Sequence, residues 1–502
     1  MDTHAKLDFE DIQGIILYGY KHLPVTRYVF LQFLLSTTRD GEDTSEAREV
    51  RRWIAGITAQ VTTAAQRPAD LTSSLHLAFT APGLEALGFC EAEMVTFPRS
   101  FQQGMVDPHR QPILGDRDRN DPQHWEFGSK LKPAIHAILI LNADTQARLE
   151  EVCQKQLAAM ASTPVKELVV QEGYRPADGK EHFGFHDGVS QPVIEGSGRK
   201  SNDGEAPIRA GEFILGYPNE YAALPTSPSV PAGFDADGNL FLDPVDSGRR
   251  DLGKNGSFLV FRKLQQDVAA FWRFAYESSK KPDGSADSKE AIHMAARIVG
   301  RWPSGASLVV SPRSDNNDQR NDFTYQEKDP KGMSCPIGAH VRRANPRDAL
   351  PPDRKESKME ARRHRVLRRG RIYGPRVADV HGAIDDTQER GFQFIVINAN
   401  INRQFEFVQQ TWINSPKFGD LYSDTDPLVG VHPHKVSAGA ATGRDFSVQR
   451  EPVRCRFVDL PHFVQVRGGG YFFLPGIRGL RYLAAGGYAG PNRTGGLEVF
   501  MK

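Results

Sequence analysis

IHAILILNADTQARLEEVCQKQLAAMASTPVKELVVQE, residues 135–172, decides the fold. Its first nine residues form a short, mainly aliphatic run, as a buried strand requires. Asp144 suits a helix N-cap, and over 144–160 Leu149, Val152, Cys153, Leu157 and Met160 fall on one stripe at helical spacing. Residues 165–172 return to a strand pattern. Upstream the same order is found. Residues 27–35 (RYVFLQFLL) read as a strand. Residues 45–61 place Val50, Trp53, Ile54, Ile57 and Val61 on one helical face, and a short apolar run follows at Leu75–Phe79. Strand–helix–strand twice over is the ferredoxin-like order.

The second half repeats the pattern without residue-level identity. Residues 257–263 (SFLVFRK) predict a strand, and Val268, Phe271, Trp272 and Ala275 predict a helix after it. Residues 392–398 (FQFIVIN) predict another strand, and INRQFEFVQQTW another helix. A Pro-rich stretch, 217–233, reads as a loop near the boundary. The expectation is an α+β protein of two ferredoxin-like domains, 1–205 and 206–502.

Composition narrows the function. At 502 residues the chain exceeds one small core. With 63 basic and 62 acidic residues it generates no global field, which argues against nucleic acid or an anionic membrane as partner. Cys90, Cys153, Cys335 and Cys455 form no CxxC pair, so neither a disulfide framework nor a zinc site is expected, and no CxxCH is present for covalent c-type heme. MDTHAKLDFEDIQG lacks the apolar core of a signal peptide and no run is long enough to span a bilayer, so cytoplasmic residence is expected.

Three segments carry chemistry-bearing residues. In EHFGFHDGVSQP (181–192) Asp187 lies between Gly184 and Gly188, where glycine permits a tight turn and close approach of backbone to a flat ligand; an Asp-Gly turn without function has the same spelling. In CPIGAHVRRANPRD (335–348) His340 is a candidate metal ligand or a structural histidine. In RRHRVLRRGRIYGP (362–375) Arg368 sits in a basic run, and from Arg342 to Arg371 twelve Lys or Arg face four acids. That run fits a solvated patch, an anionic partner, or bidentate neutralisation of carboxylates.

Together these segments resemble the dye-decolorizing peroxidases. GFHDG matches their GxxDG motif, GAHVRRANPR their proximal-ligand segment, and VLRRGRIYG the stretch bearing their distal arginine; DIQGIILYGY and FQFIVINANINRQFEFVQQTWIN are similar to the longer members. The resemblance spans nearly the whole chain. It implies a duplicated fold of the dimeric α+β barrel kind, with one non-covalent heme b in the C-terminal half, His340 as axial ligand, Asp187 as distal acid and Arg368 as distal arginine. Gly188, Val189 and Ser190 match the heme-contacting turn, and Asn345 and Arg347 the propionate side. The implied activity is reduction of hydrogen peroxide coupled to oxidation of bulky aromatic, dye or phenolic donors. Asp187 would move a proton between the peroxide oxygens while Arg368 stabilises the departing one. An unperturbed Asp titrates near about 3.9, so acid-favoured turnover is expected.

Glu406 and Asp426 are candidates for the acceptor that orients His340, with Asp426 favoured. Trp125, Trp302 and Trp412 are candidate electron relays to the surface. The alternative function is a heme-binding protein with a deferrochelatase-like or storage role. A metal site at His432 and His434 in VHPHKV lacks a third ligand at recognisable spacing. A homo-oligomer, or a protein packaged as cargo in a compartment, stays open.

Overall fold

The aliphatic runs pair as strands and the periodic stripes wind as helices in a computed structural model that describes residues 6–36, 44–201, 205–285, 287–381, 384, 387–431 and 445–486. The first unit comprises β1 (Val25–Phe33), α1 (Ser45–Thr58), β2 (Ser73–Phe79), β3 (Ala137–Ala143), α2 (Gln146–Met160) and β4 (Val165–Tyr174). Its strands lie antiparallel in the order β4-β1-β3-β2, with Val29 opposite both Leu139 and Val170. The N-cap of α2 is Thr145, whose side chain accepts from the Arg148 N–H, one residue beyond the expected Asp144.

The second unit comprises β5 (Ser257–Gln266), α3 (Val268–Glu277), β6 (Leu367–Arg368), β7 (Arg371–Tyr373), β8 (Gly391–Asn398) and β9 (Val464–Leu474). Both β6 and β7 pair with β8, so they act as one interrupted strand, and the order β9-β5-β8-β6/β7 repeats that of the first unit. The fold is thus two ferredoxin-like units. Single pairings join them, Phe79 with Phe473 on one side and Ile372 with Tyr174 on the other. The two sheets thereby close into one barrel, in which, among the described residues, no long edge is left unpaired.

Alternation along the strands sorts the side chains into two layers. Tyr28, Phe30, Ile138, Ile140, Leu259, Phe261, Ile395, Ile397 and Phe472 fill the barrel interior. Val29, Leu31, Leu139, Leu141, Val260, Val396 and Phe473 point outward. In the first unit that outer face is covered by α1 and α2, and α1 also packs on α6 (Ile477–Ala485), which follows α4 (Ser288–Val299) and α5 (His340–Ala344) in the chain. In the second unit the expected helix after β8 winds instead as two π-helical pieces, Asn402–Glu406 and Val408–Ile413, which stand off from the sheet and leave a hollow. The stretch 217–233 is largely loop, though Ser229–Pro231 pairs with Arg249–Asp251.

Among the described residues no helix is long and apolar enough to cross a membrane. His432 and His434 lie outside the described residues.

Candidate active site

The loop between β4 and β5 carries the GFHDG motif. Gly184 and Gly188 adopt φ of 93° and 83°, the left-handed region that makes glycine necessary at both positions. Glu181 closes the turn: its carboxylate oxygens accept the Phe183 and Phe185 N–H groups, each at 2.9 Å, and the Gln266 amide at 2.7 Å. Burial, with the nearby Asp187 charge adding to it, pushes the Glu181 carboxyl up to about 7 against these hydrogen bonds. Asp187 is fixed at the end of this turn by its N–H bond to Gly179 (3.0 Å).

Arg368, on β6, meets the same loop. Its Nη2 lies 3.3 Å from Asp187 Oδ1, and its Nη1 donates to the Ser190 carbonyl at 3.3 Å. Gln191 clamps the Arg368 backbone from both sides, accepting its N–H at 3.1 Å and donating to its carbonyl at 3.2 Å. Loop and strand are therefore cross-linked where the two charged side chains meet. Asp187 and Arg368 lie in recognisable sequence motifs. Glu181, Gln191 and Gln266, which position them, carry no signal of their own beyond nearness to the motif.

His340 opens α5. Its Nδ1 lies 2.9 Å from Asp426 Oδ2. The other carboxylate oxygen accepts the Leu428 and Val429 N–H groups at 2.9 and 3.0 Å. Burial alone would raise the Asp426 carboxyl, but His340 and these donors hold it below the usual range. Burial likewise opposes protonation of His340, and the Asp426 charge outweighs it and raises the imidazole. An ionised acceptor at Nδ1 fixes the tautomer with the proton on Nδ1, leaving the Nε2 lone pair free. Of the two acceptors expected from the sequence, Asp426 is the one that meets His340. Glu406 is turned away, bonded to Arg110 (2.8 Å) and Tyr471 (2.9 Å).

The basic run is solvated only in part: Arg354, Lys355 and Lys358 are exposed, while the arginines on either side of them are largely buried. Arg343 is fully buried and donates to the carbonyls of Gly338, Trp412, Ser415 and Asp424, which ties the end of the π-helical segment to α5. Arg342 pairs with Asp329, and Arg369 and Arg371 are buried against loop carbonyls. Arg347 donates to Asn321 and Phe323, so part of its fork is committed to the protein.

His340, Asp187, Gly188, Val189, Ser190, Asn345, Arg347 and Arg368 all line one cavity of about 340 Å³. Both Asp187 and Arg368 act electrostatically on the His340 ring. Apolar walls come from Phe392, Phe394 and Val396 of β8, Val464 and Val466 of β9, and Val408 and Ile413 of the π-helical segment. Ser190 Oγ, Gln266 Oε1, and Nε and Nη1 of Arg262 line it without a hydrogen-bond partner. An imidazole with a free nitrogen, apolar walls and unsatisfied polar atoms at the margin fit a flat, polar-edged group with a metal at its centre. All five tryptophans are buried, so Trp125, Trp302 and Trp412 present no indole at the surface.

No family model matches the chain. It is 29% identical over 513 residues to a dye-decolorizing peroxidase of Mycena epipterygia, covering 95% of this chain and 87% of the relative. It is 28% identical over 460 residues to the multifunctional dye peroxidase DyP2 of Amycolatopsis, covering 88% and 90%. Its fold matches that of an ancestral D-type dye-decolorizing peroxidase with a TM-score of 0.74 at 27% identity, covering 95% and 99% of the two chains. Over nearly its whole length the chain is similar to the dye-decolorizing peroxidases. Another solved dye-decolorizing peroxidase, whose heme pocket was engineered for asymmetric sulfoxidation, aligns at TM-score 0.72 and 25% identity. The cavity that His340 lines has the donor set to receive such a cofactor.

Proposed function

We propose that this protein is a heme-dependent peroxidase that reduces hydrogen peroxide and oxidises bulky aromatic donors, dyes or phenols, with turnover favoured by acid. A structural relative has been solved in complex with 2,6-dimethoxyphenol, which supports a phenolic donor class. The observation that carries the reading is the meeting of two constellations in one cavity: an imidazole backed by a carboxylate, and a paired Asp and Arg.

One non-covalent heme b per chain would be held by His340 through Nε2, by the Gly188–Val189–Ser190 turn, and by Asn345 and Arg347 at its polar edge. When bound, heme supplies the redox-active iron at which peroxide is cleaved. Asp426 accepts the Nδ1–H of His340, which raises the basicity of the ligand and fixes its ring plane. Asp187 takes the proton from one peroxide oxygen and returns it to the other. The Arg368 guanidinium stabilises negative charge on the departing oxygen, in a chamber where Phe392 and Phe394 exclude water and so strengthen that interaction.

The test is the visible spectrum of protein expressed with heme supplied, before and after one equivalent of hydrogen peroxide, alongside His340→Ala. We expect a Soret band that shifts with peroxide, and a variant that folds but retains under a tenth of the wild-type heme. A folded, colourless wild type would overturn the heme reading. A Soret band indifferent to peroxide would instead support the storage role.

A further inference from the structure

A second cavity, of about 450 Å³, abuts the first, and Glu181, Asp187, Gly188, Val189, Arg368 and Phe392 belong to the walls of both. Its charge is lopsided: eight Lys or Arg residues line it against two acids, Glu181 and Asp187. Asp187 is already paired with Arg368, and burial favours the neutral form of Glu181. The remaining cations are therefore largely uncompensated.

The deepest of them are built into the fold. Arg369 and Arg371 are 9% and 7% exposed. Arg369 donates to the carbonyls of Ile15 and Ile16, each at 2.7 Å, and Arg371 to those of Gly19 and Tyr20 and to Thr26 Oγ1. These partners are neutral, so neither guanidinium meets a carboxylate. At the mouth, burial and repulsion from Arg175 and Arg199 together lower the Lys21 ammonium. Like charges facing a concave, low-dielectric wall focus a positive potential into the cavity, and desolvated cations without counter-charge are costly. An oxyanion entering there would relieve both costs through charge-assisted hydrogen bonds.

We propose that this second cavity is an oxyanion-binding site, with Lys21, Arg175 and Arg199 as its accessible ligands and Arg369 and Arg371 as fixed background charge. The ligand class is a phosphate, or the carboxylate or sulfonate of an organic molecule. Because the site shares the Asp187–Arg368 wall, its occupant slows the approach of peroxide to that pair. Binding itself is independent of the peroxidase reading; the kinetic consequence rests on it.

The experiment is isothermal titration of the holoenzyme with inorganic phosphate and, separately, with benzoate, at fixed pH and ionic strength, compared with a Lys21→Ala/Arg175→Ala double variant. Neither substituted residue lines the His340 cavity. We expect saturable phosphate binding that weakens at least tenfold in the double variant, with Arg199→Gln as an independent second test. Saturation by benzoate as well extends the site to organic carboxylates, and phosphate alone restricts it to inorganic or phosphorylated ligands; both support it. Stopped-flow of the first reaction with peroxide should slow as phosphate rises in the wild type and not in the variant. No saturable phosphate binding, or equal binding by correctly folded variants, overturns the site. Saturable binding with an unchanged peroxide rate overturns the coupling. A colourless protein that still binds phosphate would sink the peroxidase reading and leave the site standing.

Discussion

Strand for strand the two halves follow one plan, yet the outer face of the first is filled and that of the second is hollow. Against β1 and β3 lie Val50, Trp53, Ile54 and Ile57 of α1 and Leu149 and Cys153 of α2, all buried. The matching face of β5, β8 and β9 presents Leu264, Phe394 and Val466 to a cavity. Where the first half is held by apolar packing, the second is held by polar ties across the gap. Arg343 pins the π-helical segment, Asp426 pins His340, and Gln191 pins Arg368. A shared topology thus carries a core in one copy and a chamber in the other. The chamber is kept open by hydrogen bonds that a well-packed helix would not need.

The contrast can be broken most severely at Asp187. Asp187→Asn should lower kcat/KM for peroxide by roughly 10²–10⁴. The same change should leave denaturant stability within about 0.5 kcal/mol, because the half-exposed pair with Arg368 contributes little. Stopped-flow and urea unfolding on one preparation would check both, and a loss below tenfold would remove Asp187 from its role. The converse substitution lies in the filled half. Trp53→Ala should cost about 3–5 kcal/mol by urea unfolding while activity per bound heme stays intact; activity falling in proportion to stability would show that the halves are not separable.

The smallest effect is a difference in pH response. The Glu181 carboxyl is held at about 7, above the ordinary 4.5, so the folded state binds the extra proton. Its contribution is complete below pH 4.5 and is lost as pH rises through 7, on the order of 3 kcal/mol. In the first half the sign reverses: burial pushes His76 down to about 3 and His136 to about 4, so their contribution is lost as pH falls below 6.5. Unfolding free energies measured across pH 4–8 in wild type and Glu181→Gln should differ by a term that shrinks as pH rises. A pH-independent difference would contradict the shift.

The repeated strand–helix–strand order was legible because β1, β3, β5 and β8 each contain a short, mainly aliphatic or aromatic run that is largely buried. The last strand was not. β9 contains Gly468, Gly469 and Gly470, which read as a breaker. Here they permit close approach: a Cβ on Gly468 would come within 2.8 Å of the Phe127 ring, and one on Gly469 within 2.6 Å of the Phe261 carbonyl. The segment after β8 has α-helical spacing, but Arg343 and the Asp426 N–H take up its terminal carbonyls, and tertiary bonding sets its winding. Asp187, His340 and Arg368 sit in short motifs whose wording survives in one sequence. Glu181, Gln191 and Gln266 act by binding backbone that only the closed fold brings near. The basic run left three readings open because a buried arginine capping loop carbonyls is spelled like an exposed one.

The seam between β2 and β9 joins residue 79 to residue 473. During synthesis the first unit can pair its own strands once residue 174 has emerged, whereas the barrel and the β9 wall of the chamber wait for residue 474. Val464 and Val466, which complete that wall, are among the last described residues to be made. Until β9 has emerged, the nascent chain therefore offers a cofactor only an open trough.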